Sequence, residues 1–123
     1  MADTNGEADI ALDTLPQTGG TTTCECLWMG VPTVSLVGPA FFERLSFSNL
    51  VNAGLGDLAV DTPDAYVDVA VALAANAERR RTPRHGLRGA IRQLPLGDTR
   101  AWVRDFEALT MRTPRSADAS ILA

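Results

Sequence analysis

The sequence predicts an α/β fold, with a short parallel sheet layered with helices and followed by C-terminal helices. Three observations point there. Strand-like and helix-like segments alternate from Ile10 to Val60. In the stretch Thr33–Val37, Val34, Leu36 and Val37 are apolar and nearly continuous, as in a strand covered on both faces. Beyond Thr62 the apolar residues recur at helical spacing only. Repeated strand–helix alternation implies parallel strands. Two or three strands are few for an open doubly wound sheet. The chain therefore reads as the end of a larger domain, its first strand left with a bare edge or one covered by something else.

Each element has its own signal. Residues 1–8 are small and polar and are expected to be disordered. Ile10–Asp13 reads as a strand ended by Leu15-Pro16. A loop over 17–20 leads to a helix starting at Thr21 or Thr22 and stopped by Gly30 and Pro32. Leu27, Trp28 and Met29 are expected to anchor it to the sheet. Thr33–Val37 is the second strand, and Gly38-Pro39 turns the chain. A helix over about Ala40–Asn52 would turn Phe41, Phe42, Leu45, Leu50 and Val51 inward, with Gly54 and Gly56 closing it. Leu58–Val60 is a very short third strand. Thr62 caps a helix with Pro63 as its first residue, running to about Arg81 with Tyr66, Ala70, Leu73 and Ala77 on one face. Pro83 is expected to break it, leaving a shorter helix over Arg84–Gln93. The last helix, Thr99–Met111, carries Trp102, Phe106 and Leu109 as its buried stripe. Residues 112–123 read as a flexible tail, so residues 9–111 form the folded unit.

Composition narrows the function. The chain has 123 residues, 46% of them hydrophobic and 21% charged, as in an ordinary globular domain. It is long enough to bury roughly 65% of its unfolded surface. Net charge is −4, and all eleven basic residues are Arg. No basic patch follows a phosphate backbone, so nucleic acid is excluded as a partner. The arginines of 79–92 read as solvated helix faces. Cys24 and Cys26 are two apart on a helix and face different ways, which rules out a disulfide between them. One His, His85, supplies no zinc-ligand set, so no metal is expected. The acidic, polar N-terminal stretch is unlike a signal peptide, and no apolar run reaches membrane-spanning length. A reduced, soluble, cytoplasmic protein follows.

The chemistry concentrates in TGGTTTCE, residues 18–25. Gly19 and Gly20 remove side chains where the chain leaves a parallel strand, allowing sharp turning and close approach of a ligand. The helix that follows opens with free backbone N–H groups and the positive end of its dipole. Thr21, Thr22 and Thr23 add hydroxyls. The place, the carboxyl end of a strand, is where such folds bind ligands. A phosphate or diphosphate fits. The stretch is neither a Walker loop nor a G-x-G-x-x-G fingerprint. The alternative is a capped helix after a glycine turn, with Thr22 and Glu25 as a capping box. Glu25 either serves that box or reaches outward to sugar hydroxyls. Asp13 either orients the loop or caps it locally. Cys24 sits where a helix terminus could lower its pKa, with no base nearby in sequence.

These residues carry a resemblance. LDTLPQTGGTTTCECLWMGVPTVSLVG is similar to the signature of the O-linked N-acetylglucosaminyltransferase and SPINDLY family in its bacterial form. Arg44, Ser48–Leu50, Asn52-Ala-Gly-Leu55, Tyr66–Leu73 and Leu87–Asp98 resemble further family elements, so the similarity spans about residues 9–109. It implies a partial Rossmann-like three-layer lobe, the C-terminal portion of the second domain of a GT-B catalytic region. The family transfers N-acetylglucosamine, or fucose in SPINDLY-type members, to protein Ser or Thr, with inversion and without metal. By position, Gly20, Thr21 and Thr22 would hold the diphosphate of UDP, and Glu25 would accept from the ribose hydroxyls. Animal members place a His where Gly20 stands. Leu94 replaces the usual Ser before Pro95.

The resemblance further implies partners outside this sequence: a first lobe with tetratricopeptide repeats, and upstream strands whose side chains grip diphosphate and uracil. One helix terminus contributes about 0.3–1 kcal/mol to anion binding, up to roughly 2. Millimolar affinity already takes about 4 kcal/mol. The isolated chain is therefore expected to bind a UDP-sugar such as UDP-N-acetylglucosamine weakly and to be inactive alone. The competing reading is a non-catalytic interaction module that pairs with another chain, or with itself, through its open sheet edge.

Overall fold

A computed structural model describes residues 8–112. The segments expected to be loose, 1–8 and 112–123, lie outside this range apart from Ala8 and Arg112. The order is β1 (Ala11–Leu12), α1 (Thr21–Trp28), β2 (Thr33–Leu36), α2 (Leu45–Asn52), β3 (Ala59–Val60), α3 (Pro63–Ala75), α4 (Ala77–Ile91) and α5 (Thr99–Arg112). The strands form one parallel sheet in the order β1-β2-β3, with Ala11 opposite Thr33 and Ser35 opposite Ala59. Thr33, Val34 and Ser35 are all buried, so β2 is covered on both faces. Among the described residues β1 pairs on one side only, and Leu12 is 60% exposed. The α/β class, the parallel sheet and the one-sided first strand match the sequence analysis.

The core lies where α1, α2, α3 and α4 meet the sheet: Leu27, Val34, Leu50, Ala53, Leu58, Leu73, Leu87 and Ile91. Thr62 caps α3 as expected, its hydroxyl accepting from the Ala65 N–H. No helix among the described residues is long and apolar enough to cross a membrane.

Four expectations require correction. The helix expected from Ala40 is broken: a 3₁₀ turn covers Phe41–Glu43, and α2 starts only at Leu45. The Glu43 carboxylate accepts from the Ala40 N–H and ties this turn off. The break changes the helical phase, so Ser46 and Leu50 are buried while Phe41, Phe42 and Val51 are exposed. Second, the helix expected over 63–81 ends at Ala75. Asn76 is extended and accepts from the Arg79 N–H, while the Arg80 guanidinium caps the Leu73 and Ala74 carbonyls.

Third, Pro83 does not end a helix but sits inside α4. It withholds an N–H from the Arg79 carbonyl, yet docking on α1 outweighs that loss. Leu87 and Ile91 are buried, Arg88 Nε donates to the Trp28 carbonyl at 3.1 Å, and Arg88 and Arg92 lie over the Trp28 ring at 4.9 and 5.7 Å. Trp28 thus meets arginines rather than the sheet. Fourth, the stripe of α5 is not buried: Trp102, Phe106 and Leu109 are 62%, 53% and 65% exposed. Trp102 and Phe106 stack on each other with ring centroids 5.2 Å apart.

Candidate functional site

The site is built at the carboxyl end of β1. Asp13, one residue past that strand, accepts through Oδ1 from the N–H groups of Thr14 and Gly19, at 3.0 and 2.8 Å. Its Oδ2 accepts from the Ser35 hydroxyl at 2.6 Å. Of the alternatives for Asp13, the structure therefore supports loop orientation. Gly19 is demanded by close approach: a Cβ there would lie 2.6 Å from Thr23 Oγ1 and 3.3 Å from Asp13 Oδ1. At Gly20 a Cβ would meet only Leu45 Cδ1, at 4.0 Å, so a larger side chain has room.

Gly20 is the N-cap of α1, and no side chain caps this helix. The Thr22–Glu25 capping box is absent, because the helix begins at Thr21 and places Thr22 inside its first turn. The first helical hydrogen bond runs from the Cys24 N–H to the Gly20 carbonyl, at 3.2 Å. The N–H groups of Thr21, Thr22 and Thr23 precede it and keep their positive ends open.

Thr21, Thr22 and Glu25 are exposed; Gly19 and Gly20 are half-buried. Thr23 differs from its neighbours. Its side chain is buried, and its hydroxyl lies 2.7 Å from Ser46 Oγ. Ser46 donates its single proton to the Gly19 carbonyl, so Thr23 donates to Ser46 and has no proton left for a ligand. Three hollows meet at this turn. One of about 550 Å³ is lined by Gly20, Thr21 and the start of α2, including Arg44 and Asn49. One of about 440 Å³ is lined by residues 14–20 and Thr22. One of about 320 Å³ runs along Thr21, Cys24, Glu25, Trp28 and Met29. The structure brings the six expected residues together at one end of α1, with Thr23 contributing its backbone alone.

Cys24 is half-buried and reads as a packing residue. Burial, and then the neighbouring Glu25 charge, raise its pKa, so the helix terminus does not make it a reactive thiolate. Burial raises the Tyr66 pKa as well, with the Asp13 charge second; its hydroxyl donates to the Asp13 carbonyl at 3.3 Å. Among the described residues no three His, Cys, Asp or Glu side chains form a metal-ligating group. The sequence analysis assigned no role to Ser46 and Asn49, which hold the turn from behind. Nothing in the sequence separates them from the other polar residues of that helix, Ser48 and Asn52.

Comparison with known proteins places this geometry. Residues 4–106 match the family model described as glycosyl transferase family 41. The rice protein named probable UDP-N-acetylglucosamine–peptide N-acetylglucosaminyltransferase SPINDLY is 39% identical over 100 residues, covering 81% of this chain and 11% of that protein. The Caenorhabditis elegans UDP-N-acetylglucosamine–peptide N-acetylglucosaminyltransferase is 31% identical over 102 residues, covering 83% of this chain and 9% of its own length. Among solved structures, a mutant O-GlcNAc transferase of Thermobaculum terrenum superposes with a TM-score of 0.81 at 36% identity, over 90% of this chain and 21% of that one. The chain thus spans about a tenth of the length of the curated relatives it matches. A model that covers most of the chain and a solved structure of the same shape agree with the signature around Gly19–Glu25: the chain belongs to glycosyl transferase family 41.

Proposed function

We propose that the turn Gly19–Thr23, with Glu25, is the phosphate-binding end of a UDP-sugar site in an inverting protein O-glycosyltransferase. The observation that carries this reading is the uncapped first turn of α1, open at the carboxyl end of β1. The donor is UDP-N-acetylglucosamine or a related nucleotide-sugar, and the acceptor is a protein Ser or Thr hydroxyl. Main-chain N–H groups at the helix start hold the diphosphate and stabilise the charge it gains as the sugar–phosphate bond breaks. The hydroxyls of Thr21 and Thr22 add donors, and Glu25 accepts from ribose hydroxyls. Acceptor and donor must be held together for transfer. That task falls to a first lobe with tetratricopeptide repeats as partner.

The test is a UDP titration followed by amide NMR. Shifts confined to residues 14–25 are expected, with a Kd above about 1 mM, because one helix terminus contributes only about 0.3–2 kcal/mol. No localised shift at about 10 mM UDP, where a Kd in the tens of millimolar still gives partial occupancy, would remove the donor reading.

A second reading rests on a different observation. β1 has an open edge beside the exposed Leu12, and α5 presents Trp102, Phe106 and Leu109. An interaction module would use these surfaces. Light scattering then reports a dimer or larger species, whereas a monomer at all concentrations argues against self-pairing.

A further inference from the structure

Three consecutive peptide planes lead into α1, and each is pinned from outside the turn. The Thr18–Gly19 plane is held by its N–H, on Asp13 Oδ1 at 2.8 Å. The Gly19–Gly20 plane is held by its carbonyl, which accepts from Ser46 Oγ at 2.7 Å. The Gly20–Thr21 plane is held by its carbonyl, which accepts from Asn49 Nδ2 at 3.0 Å. Both of these last peptides are trans, so carbonyl and N–H point in opposite directions in one rigid plane. Holding the Gly19 carbonyl against α2 aims the Gly20 N–H away from α2. Holding the Gly20 carbonyl fixes the direction of the Thr21 N–H in the same way.

We infer that Ser46 and Asn49 are positioning residues. They preset the anion-binding amides and direct them toward the hollow of residues 14–20 and Thr22, not toward the larger hollow lined by Arg44. The inference rests on the donor reading above and adds two things to it: which side of the turn the diphosphate occupies, and what holds that side ready. The backbone alone does not set the Gly19–Gly20 plane, since Gly20 sits at φ −110°, ψ −84°, outside the helical well; at the next plane Asn49 reinforces the bond that the Gly20 carbonyl accepts from the Cys24 N–H. Ser46 is fully buried, so its hydrogen bonds to Gly19 and Thr23 are shielded from competing water.

The test compares the full chain with Asn49→Ala, and with Asn52→Ala as control. The Asn52 side chain donates within its own helix, to the Ser48 carbonyl at 2.9 Å, and the alanine variant keeps the backbone carbonyl that accepts from Leu96. In free Asn49→Ala the amide signals of Gly20–Thr23 are expected to shift and to exchange hydrogen faster, while those of Leu50 and Leu58 stay as they were. UDP affinity is expected to fall about two- to tenfold, the loss of one ordinary hydrogen bond, with uridine binding unchanged. Asn52→Ala does neither. In the unmodified chain UDP is expected to move the amides of Thr14, Leu15 and Gln17 and to leave those of 44–49 in place. Should Asn49→Ala unfold, Asn49→Asp, of the same shape but without the donor, carries the same comparison. A UDP response that Asn49→Ala leaves unchanged overturns the positioning role alone. Shifts at 44–49 in place of 14–17 overturn the assigned side. No UDP response in the unmodified chain overturns the donor reading and the positioning role together.

Discussion

Gly30→Ala is expected to destabilise the chain by about 2–5 kcal/mol, enough to leave much of it unfolded at 25 °C. Two effects add. Gly30 sits at φ +75°, a left-handed conformation that costs a residue with a Cβ about 1–2 kcal/mol. The added methyl would also lie 2.5 Å from Arg84 Cα and 2.8 Å from the Pro83 carbonyl oxygen. Both neighbours are backbone, so no rotamer change relieves the clash, and overpacking of this kind costs about 1–3 kcal/mol. α4 would have to lift off the end of α1, pulling Leu87 and Ile91 with it. The same substitution at Gly86, on the next turn of α4 and with nothing within 4 Å of an added Cβ, is expected to raise stability by about 0.5–1 kcal/mol. Urea unfolding of the two variants measures the contrast directly. Equal midpoints would mean that α1 and α4 do not meet as described.

Asp13→Ala is expected to cost about 2–4 kcal/mol and to abolish the UDP response. Hydrogen bonds to a charged group contribute about 1.5–3 kcal/mol, and stranding a buried donor costs about 1–3. Removing the carboxylate strands the Gly19 N–H and the hydroxyl of fully buried Ser35, and it exposes the Thr14 N–H to competition from water. Asp13→Asn separates the causes. Its carbonyl still accepts from Gly19 and Thr14, and its amide can donate to the Ser35 oxygen. It should retain most of the stability and the UDP response. If Asp13→Ala matches the unmodified chain in urea midpoint, the carboxylate does not hold the loop.

What could be read without coordinates depended on whether the cause was local. The start of α1 at Thr21, the cap at Thr62, the turn at Gly30 and the three parallel strands follow from nearby residue types, and all four appear in the structure. The failures have distant causes. Pro83 should stop a helix by its own chemistry; α4 continues because Trp28, some 60 positions earlier, gives Arg88 and Arg92 a ring to rest on. Phe41 and Phe42 look like core residues until the Glu43 carboxylate closes a 3₁₀ turn and shifts the phase of α2. The apolar spacing of α5 is real, but spacing cannot say whether anything lies opposite. At the site, glycines and threonines announced the turn. The Thr22–Glu25 pairing failed because a one-residue shift in the helix start removes its geometry. Ser46 and Asn49 were invisible as partners, since nothing in a sequence tells which carbonyl, nearly thirty residues away, a side chain will meet.

The make-up of α4 bears on the order in which the chain assembles. It holds two glycines, a proline and arginines at 80, 84 and 88, with Arg92 at its C-cap, each one turn from the next. Like charges at that spacing repel, glycine costs about 1 kcal/mol and proline about 3 relative to alanine. A peptide of these residues would be random coil in water. Its helicity is conferred by the indole and the glycine corner at the end of α1, so that surface must exist first. The half of the molecule that carries β1 and α1 is then the template, and the arginine helix is its late-condensing cover.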